Sequence, residues 1–570
     1  MTLSYSGSRD ALPPASSIVE IFFHRVAQTP ERVALLVASD AATPENLQFE
    51  EVTWGQLGQD VLAYAEALKE RGIGPEARVP QLAANHREWI VTDLALQLLG
   101  AWHVPLHVTL TSGLLAEVLN DANPHLAIAT DLQQAARIKE VAPNLEVVVQ
   151  REVAGSRAIS TLPKLAADSQ IDPQQLSAAS AICQGLTPQQ IATLVYTSGT
   201  TGQPKGVMLS HENLVSNTLG LIATYTDTPE DRRLNFLPFS HVYARTCDLY
   251  TWIARGTELV LAPNRETIIP SCHLTQPTLI NGVPYFFQKV VEGIIHRGKR
   301  DQPGILKQSL GGAVRMCTTG GAALPAWISE YFQQQELPLC QGYGLTETSP
   351  VITANTIEEN RPGSVGRPLP QVAVRIAEDG EVETAGPHVM LGYYGEPPLP
   401  PDEQGVRWLG TGDLGRLDAD GYLHITGRKK ELLALSTGKK IWPTKLEELL
   451  VADPLIAQAL VVGEGRKYLM ALIVPDPDRL REAIKRHRLW VFSKRGALAH
   501  RKVLAWYRER IDQSLAECLP HEQVRRFILL DRGFTFESGE LTPKLSLRRK
   551  LIEHNFREEI GALYQGPVPE

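Results

Sequence analysis

The chain has 570 residues, 43% hydrophobic and 21% charged, with a net charge of −8. That length exceeds one hydrophobic core and implies two to four domains of ordinary globular composition. The acidic balance excludes whole-protein affinity for nucleic acid. Six cysteines, at 183, 247, 272, 317, 340 and 518, form no CxxC pair, which reads as free thiols in a reducing, cytoplasmic setting. The first 17 residues lack the apolar core of a signal peptide, and no run approaches 18 apolar residues, so no spanning helix is expected.

In chain order, helical periodicity alternates with short β-branched runs, the pattern of α/β layering. Trp54–Arg71 is predicted as a helix: Thr53 and Gln56 form a capping box, Leu57, Val61, Ala65 and Leu68 make one stripe, and Gly72 ends it. Strands are predicted at 147–150, 191–197, 258–262 and 277–283. From about residue 363 the texture becomes turns and short strands, with hairpin signals at Asp379-Gly380 and Asp420-Gly421. A smaller α+β portion follows Arg428, so the expected division is 1–427 and 428–570. Within that portion, Arg479 to Arg510 holds eleven Lys/Arg against Glu482 and Glu509, interleaved with Leu480, Leu489, Trp490, Val491, Phe492, Leu504 and Trp506. Such a stretch sits on anionic headgroups at the inner face of a membrane, or packs its apolar side on its own domain; the second is the expectation.

The densest chemical signal is YTSGTTGQPKGVMLSH, Tyr196–His211. An apolar strand opens into a loop built mostly of Gly, Ser and Thr with one Lys. Closely spaced backbone N–H groups, hydroxyls and an ammonium are the donors a polyphosphate needs. GxxxxGK[ST] is absent, so this is not a Walker A loop.

That stretch resembles the signature phosphate loop of the adenylate-forming superfamily, which includes acyl-CoA synthetases, peptide-synthetase adenylation domains and firefly luciferase. GGAAL (320–324), QGYGLTETSP (341–350), GSVGRPLP (363–370), TGDLG (411–415) and GYLHITGRKKELL (421–433) resemble its later motifs in order. The resemblance, over residues 20 to 564, implies a large layered N-terminal domain with a small β-barrel-like part and a smaller, mobile C-terminal domain. It implies ATP, Mg2+ and CoA as co-substrates and cofactor. The ATP site it implies comprises Thr197, Ser198, Gly199, Thr200, Thr201, Gly202, Lys205, Gly321, Gln341, Gly342, Tyr343, Thr346, Asp413 and Arg428. Tyr343 would stack on adenine, Thr346 would donate to the α-phosphate, and Asp413 and Arg428 would hold the ribose. Thr200 and Glu347 would hold the metal, for which a hard carboxylate suits Mg2+. Lys430 is the implied hinge of a domain that rotates between adenylation and thioester formation. Gly438 resembles the glycine that lets pantetheine pass; Lys439 and Lys440 face CoA phosphates or form a charged loop.

LPFSHVYAR (237–245) resembles the acyl-pocket stretch of long-chain acyl-CoA synthetases. His241 and Val242 would flank the carboxylate, unless His241 is a helix-start residue bonded to backbone. Arg245 stands where some relatives carry a gating tryptophan. The C-terminal LTPKLSLRR (541–549) departs from the family, which usually places its mobile catalytic lysine three residues after the proline. Here that position is Ser546, and Lys544, on the same side of an extended backbone, is expected to substitute. Arg548 and Arg549 read as structural or CoA-facing. The implied function is activation of a long- or medium-chain fatty acid to acyl-AMP and transfer to CoA. The alternatives are a degenerate nucleotide-binding relative and an acyl-AMP ligase that serves a carrier protein.

Overall fold

A computed structural model of the chain describes residues 4–6, 15–39, 41–150, 162, 172–198, 203–491, 493–535, 538–541 and 547–565. Among them, strands form sheets of nine, seven, five, three and two strands. The nine-stranded sheet is parallel through Glu258–Leu261, Arg232–Asn235, Leu279–Gly282, Met316–Thr319 and Leu339–Gly344. The seven-stranded sheet carries Arg78–Leu82, Trp102–Leu106, Ala127–Ala129 and Val147–Val149 in parallel, joined by His103 opposite Thr193 to the hairpin Ile191–Ser198/Pro204–Ser210. Parallel strands buried on both faces read as continuous apolar runs, which is why Val147–Val149 was visible in the sequence.

The helix predicted from Trp54 runs Trp54–Lys69. Thr53 Oγ1 accepts from Gln56 N at 3.2 Å, and Gln56 Oε1 accepts from Thr53 N at 2.8 Å. Leu57, Val61, Ala65 and Leu68 are buried, and Gly72 has φ +78°, the left-handed conformation that stops a helix. This helix packs with Ile18–Gln28 and Arg87–Leu98 in a core where Trp54 stacks on Trp252 at 4.6 Å and Trp252 Nε1 donates to Ala34 O at 2.9 Å. Each such buried aromatic contributes roughly 1.5–3 kcal/mol.

The turn-rich stretch after residue 363 forms a five-stranded antiparallel sheet of Ser4–Ser6, Ala373–Ile376, Glu381–Ala385, Leu409–Leu417 and Leu423–Arg428. Gly380 and Gly421, with φ +86° and +83°, make the two predicted tight turns. Beyond Arg428, Ile456–Val462, Leu469–Pro475 and Val524–Leu529 form a three-stranded sheet. Helices Pro443–Val451 and Arg501–Ser514 cover it, with a core drawn entirely from residues 433 onward. All six cysteines are free thiols. No described helix is long and apolar enough to cross a membrane.

Candidate functional site

The strand Leu339–Gly344 delivers the centre of the site. It pairs in parallel with Met316–Thr319, setting Gln341 opposite Thr319, and antiparallel with Val351–Ala354, with a register shift between Tyr343 and Gly344. A Cβ at Gly344 would lie 1.8 Å from Pro350 O, so only glycine allows the chain to turn there into Thr346–Thr348. Gln341 contributes its backbone carbonyl, which accepts from Asn355 N at 2.9 Å.

Two polar groups converge on this strand from the five-stranded sheet. Asp413 lies opposite Arg428 in register. Its Oδ2 accepts from Tyr343 Oη at 2.7 Å and its Oδ1 pairs with Arg428 Nε at 2.9 Å. Asp413 is 2% exposed. Burial pushes its pKa up, and Arg428 and the Tyr343 hydroxyl oppose that. A carboxylate has about four lone-pair sites, so Asp413 retains acceptor capacity for a diol.

Glu347 is held by Tyr393, whose Oη donates to Oε1 at 2.8 Å. Tyr393 pairs with Val207 of the phosphate-loop hairpin, and Lys205 Nζ lies 4.8 Å above its ring. Thr197 is opposite Lys205 and Ser198 opposite Pro204, so the two strands bring both ends of the loop together. Gly199, Thr200, Thr201 and Gly202 lie outside the described residues. Lys205 pairs with Glu396 at 2.7 Å; partly exposed pairs of this kind contribute about 0–1 kcal/mol, so an incoming phosphate can displace the carboxylate. No group of three or more His, Cys, Asp or Glu able to hold a metal occurs among the described residues. A single carboxylate, Glu347, fits Mg2+, which takes one or two protein carboxylates and completes its shell with water and phosphate oxygens.

Gly321, Gly342, Tyr343 and Thr346 line one cleft together with Val242, Tyr243, Leu221, Ile222, Tyr225 and Met316. Part of its lining is polar: Asp227, Arg233 and Asn281. Asp227 pairs with Arg233 at 2.5 Å, and Arg233 lies 3.5 Å from Asp248, whose carboxyl burial pushes up to about 6. Tyr243 Oη donates to Asn281 Oδ1 at 2.6 Å. Tyr243, Tyr393 and Asn281 were missed in the sequence. Tyr243 sits within the quoted LPFSHVYAR stretch, whereas nothing local marks Tyr393 or Asn281.

Arg245 is corrected. It does not line the cleft but is fully buried behind it. Val242, Tyr243, Cys247 and Thr251 face the cleft from one side of a helical segment that includes the π-helical turn Arg245–Tyr250. Arg245, two positions after Tyr243, lies about half a turn away. Its guanidinium pairs with Asp93, donates to Thr193 Oγ1 at 2.8 Å and lies 5.6 Å from the rings of Trp89 and Tyr250. Burial alone would push Asp93 up; Arg245 and His103 overcome it and hold the carboxyl well below the usual range. Burial and Arg245 lower His103 to about 4, so its ring is neutral. His241 precedes the turn Val242–Ala244 without a side-chain cap bond, and its ring stacks on His107 at 5.9 Å.

At the junction to the C-terminal portion, Lys430 is exposed in the turn Lys429–Glu431. Its neighbour Lys429 is held by Asp379 at 2.5 Å and Glu381 at 2.6 Å. Gly438 has φ +79° with open space where a Cβ would point, and Lys439 and Lys440 are exposed. Lys544 and Ser546 lie outside the described residues. On either side of them, Leu541 and Leu547 form an antiparallel bridge. Arg549 grips Glu447 with two bonds of 2.8 Å and donates to Val461 O at 2.8 Å, contacts that favour a structural role. Arg548 is exposed.

Residues 22–394 match the family of AMP-binding enzymes and 430–567 the AMP-binding enzyme C-terminal domain. The chain is 31% identical to the long-chain-fatty-acid–CoA ligase FadD15 of Mycobacterium bovis, over 90% of its own length and 92% of that protein's. It is 25% identical to the long-chain-fatty-acid–[acyl-carrier-protein] ligase AEE15 of Arabidopsis thaliana, over 90% and 82% of the two lengths. The anthranilate CoA ligase AuaEII in complex with anthranoyl-AMP shares the fold, with a TM-score of 0.74 at 19% identity and coverage of 97% and 99%. With a family match across well over half of its length and a relative above 30% identity, the chain belongs to the AMP-binding enzyme family.

Proposed function

We propose that this protein activates a long- or medium-chain fatty acid with ATP to an acyl-adenylate and transfers the acyl group to CoA, releasing pyrophosphate and AMP. The observation that carries it is one cleft lined both by Thr346, Tyr343, Gly321 and Gly342 and by the apolar side chains of Leu221, Ile222, Val242 and Met316. A carboxylate beside Thr346 then has its alkyl chain in the cleft and the α-phosphate within reach. The similarity to a long-chain-fatty-acid–CoA ligase supports the same acid class.

In this reading Tyr343 stacks on adenine while its hydroxyl orients Asp413 toward the ribose, with Arg428 beside it. Thr346, Thr197, Ser198, Thr201, Lys205 and the backbone of Gly199 and Gly202 hold phosphate oxygens. Glu347, oriented by Tyr393, would hold Mg2+ together with Thr200; the ion supplies neutralisation of phosphate charge. The acid's carboxylate attacks the α-phosphorus and pyrophosphate leaves. The CoA thiol then attacks the mixed anhydride past Gly438, with Lys439 and Lys440 toward its phosphates. Positioning and electrostatics carry the first step. We divide the chain at 427/428, and Lys430 is the pivot because Lys429 is tied to the five-stranded sheet.

Lys544 is proposed to replace the lysine expected at Ser546. The neutral side chain at that position is the one observation that favours a nucleotide-binding relative of low turnover. ATP–pyrophosphate exchange and thioester assays over acids from eight to eighteen carbons, with CoA and acyl-carrier protein as acceptors, test the proposal. Wild type is expected to exchange with long or medium acids and to prefer CoA, and Lys544→Ala to lose about two orders of magnitude or more in exchange. No acid-dependent exchange in the presence of nucleotide binding refutes catalysis, and intact exchange in Lys544→Ala refutes the substitute lysine.

A further inference from the structure

The basic stretch from Arg479 to Arg510 is only partly absorbed by its own domain. Helix Pro477–Arg486 buries Leu480, and its end is closed by Arg488 N donating to Lys485 O at 3.0 Å and Leu489 N donating to Ile484 O at 3.1 Å. Arg488 takes φ +51° to make that turn. The turn folds Leu489 back onto the C-terminal core and directs the next side chain, Trp490, outward. Trp490 is 86% exposed, more than any other large apolar side chain exposed among the described residues. Lys494–Leu498 then buries Ala497 and Leu498, and Arg501–Ser514 buries Val503, Tyr507 and Ile511. A ring contact of 4.7 Å between His487 and Trp506 ties the first helix end to the third helix.

The cations divide the same way. At the ends of the stretch, Arg479, Arg481, Arg508 and Arg510 pair with Glu482, Asp478, Asp512 and Asp453. The seven Lys/Arg between Lys485 and Lys502 are all exposed, and no acidic residue lies among them in the sequence. None of the seven makes an ion pair among the described residues. A chain of net charge −8 thus concentrates uncompensated positive charge around one outward tryptophan. Self-solvation accounts for exposed lysines and arginines; it does not account for leaving an indole in water beside them.

We propose that this face docks on an anionic phospholipid surface, with Trp490 at the headgroup level and the flanking Lys and Arg side chains on lipid phosphates. Tryptophan prefers the membrane–water interface because its body is apolar and its N–H polar. Clustered cations are drawn to anionic leaflets, each worth about a fivefold gain in partitioning. The docking reads from charge and exposure alone and stands apart from the acyl chemistry.

Flotation of the full chain with vesicles tests it, using phosphatidylcholine alone and phosphatidylcholine with 30% phosphatidylglycerol. Binding is expected to the anionic vesicles only, with release in 0.5 M salt. Trp490→Ala should weaken it, and Lys494→Glu with Arg495→Glu should reduce it by at least roughly 25-fold. Both variants, altered only at exposed positions, should keep the wild-type melting temperature and exchange with a water-soluble acid. Equal binding to neutral vesicles, no binding to anionic ones, unchanged binding by the variants, or binding to an RNA oligonucleotide in place of vesicles each overturns the proposal.

Discussion

Replacing Arg549 with methionine tests the architecture that flanks the C-terminal stretch 542–546. Arg549 sits two residues after Leu547, which bridges to Leu541 across residues 542–546. Its guanidinium grips both oxygens of Glu447, which is 6% exposed, and also donates to Val461 O. Methionine keeps much of the stem's packing but leaves a buried carboxylate with one remaining donor among the described residues, Val461 N at 2.6 Å. Removing one partner of a buried pair costs about 3–5 kcal/mol. For a domain of this size that is on the order of 10 °C in the transition of the C-terminal portion. Burial already raises the Glu447 pKa, with Arg549 opposing it; without Arg549 it rises further. A raised carboxyl pKa penalises the folded state above the unfolded-state pKa, and the penalty grows until pH passes the folded value. The deficit relative to wild type should therefore be larger at pH 8 than at pH 5, and adding Glu447→Gln should recover part of it. Scanning calorimetry at both pH values, with CoA kinetics alongside, decides the matter. An unchanged melting temperature with a raised KM for CoA would show that Arg549 serves CoA and refute the structural role.

Gly344→Ala places a Cβ 1.8 Å from Pro350 O and 2.8 Å from its carbonyl carbon, backbone that cannot step aside. It should cost about 1–3 kcal/mol or more in stability and shift Thr346 and Glu347, measured as a larger loss in exchange rate than in melting temperature. Arg245→Met leaves Asp93 buried without its guanidinium and should destabilise by about 3–5 kcal/mol in urea unfolding, while the acyl-chain profile of residual activity stays that of wild type. A changed chain-length profile would contradict the placement of Arg245 behind the cleft.

The sequence by itself determined what depends on neighbours a few residues away. The Thr53/Gln56 capping box, the turns at Gly380 and Gly421 and the strand that opens into the phosphate loop all follow from local propensity, capping and turn chemistry. The motif order likewise identified the family, because those motifs are short and contiguous. Only the tertiary structure decided partnerships across long separations. Tyr343 meets Asp413 70 residues on, Glu347 meets Tyr393 46 residues on, and Arg549 meets Glu447 102 residues back. Arg245 belongs to Asp93, 152 residues away, and not to the cleft, because helical phase sets its direction and a buried carboxylate rewards it. The exposure of Trp490 was decided there too. Leu489 and Trp490 are alike to a hydrophobicity count, and only the turn at Arg488 sends one to the core and the other to water.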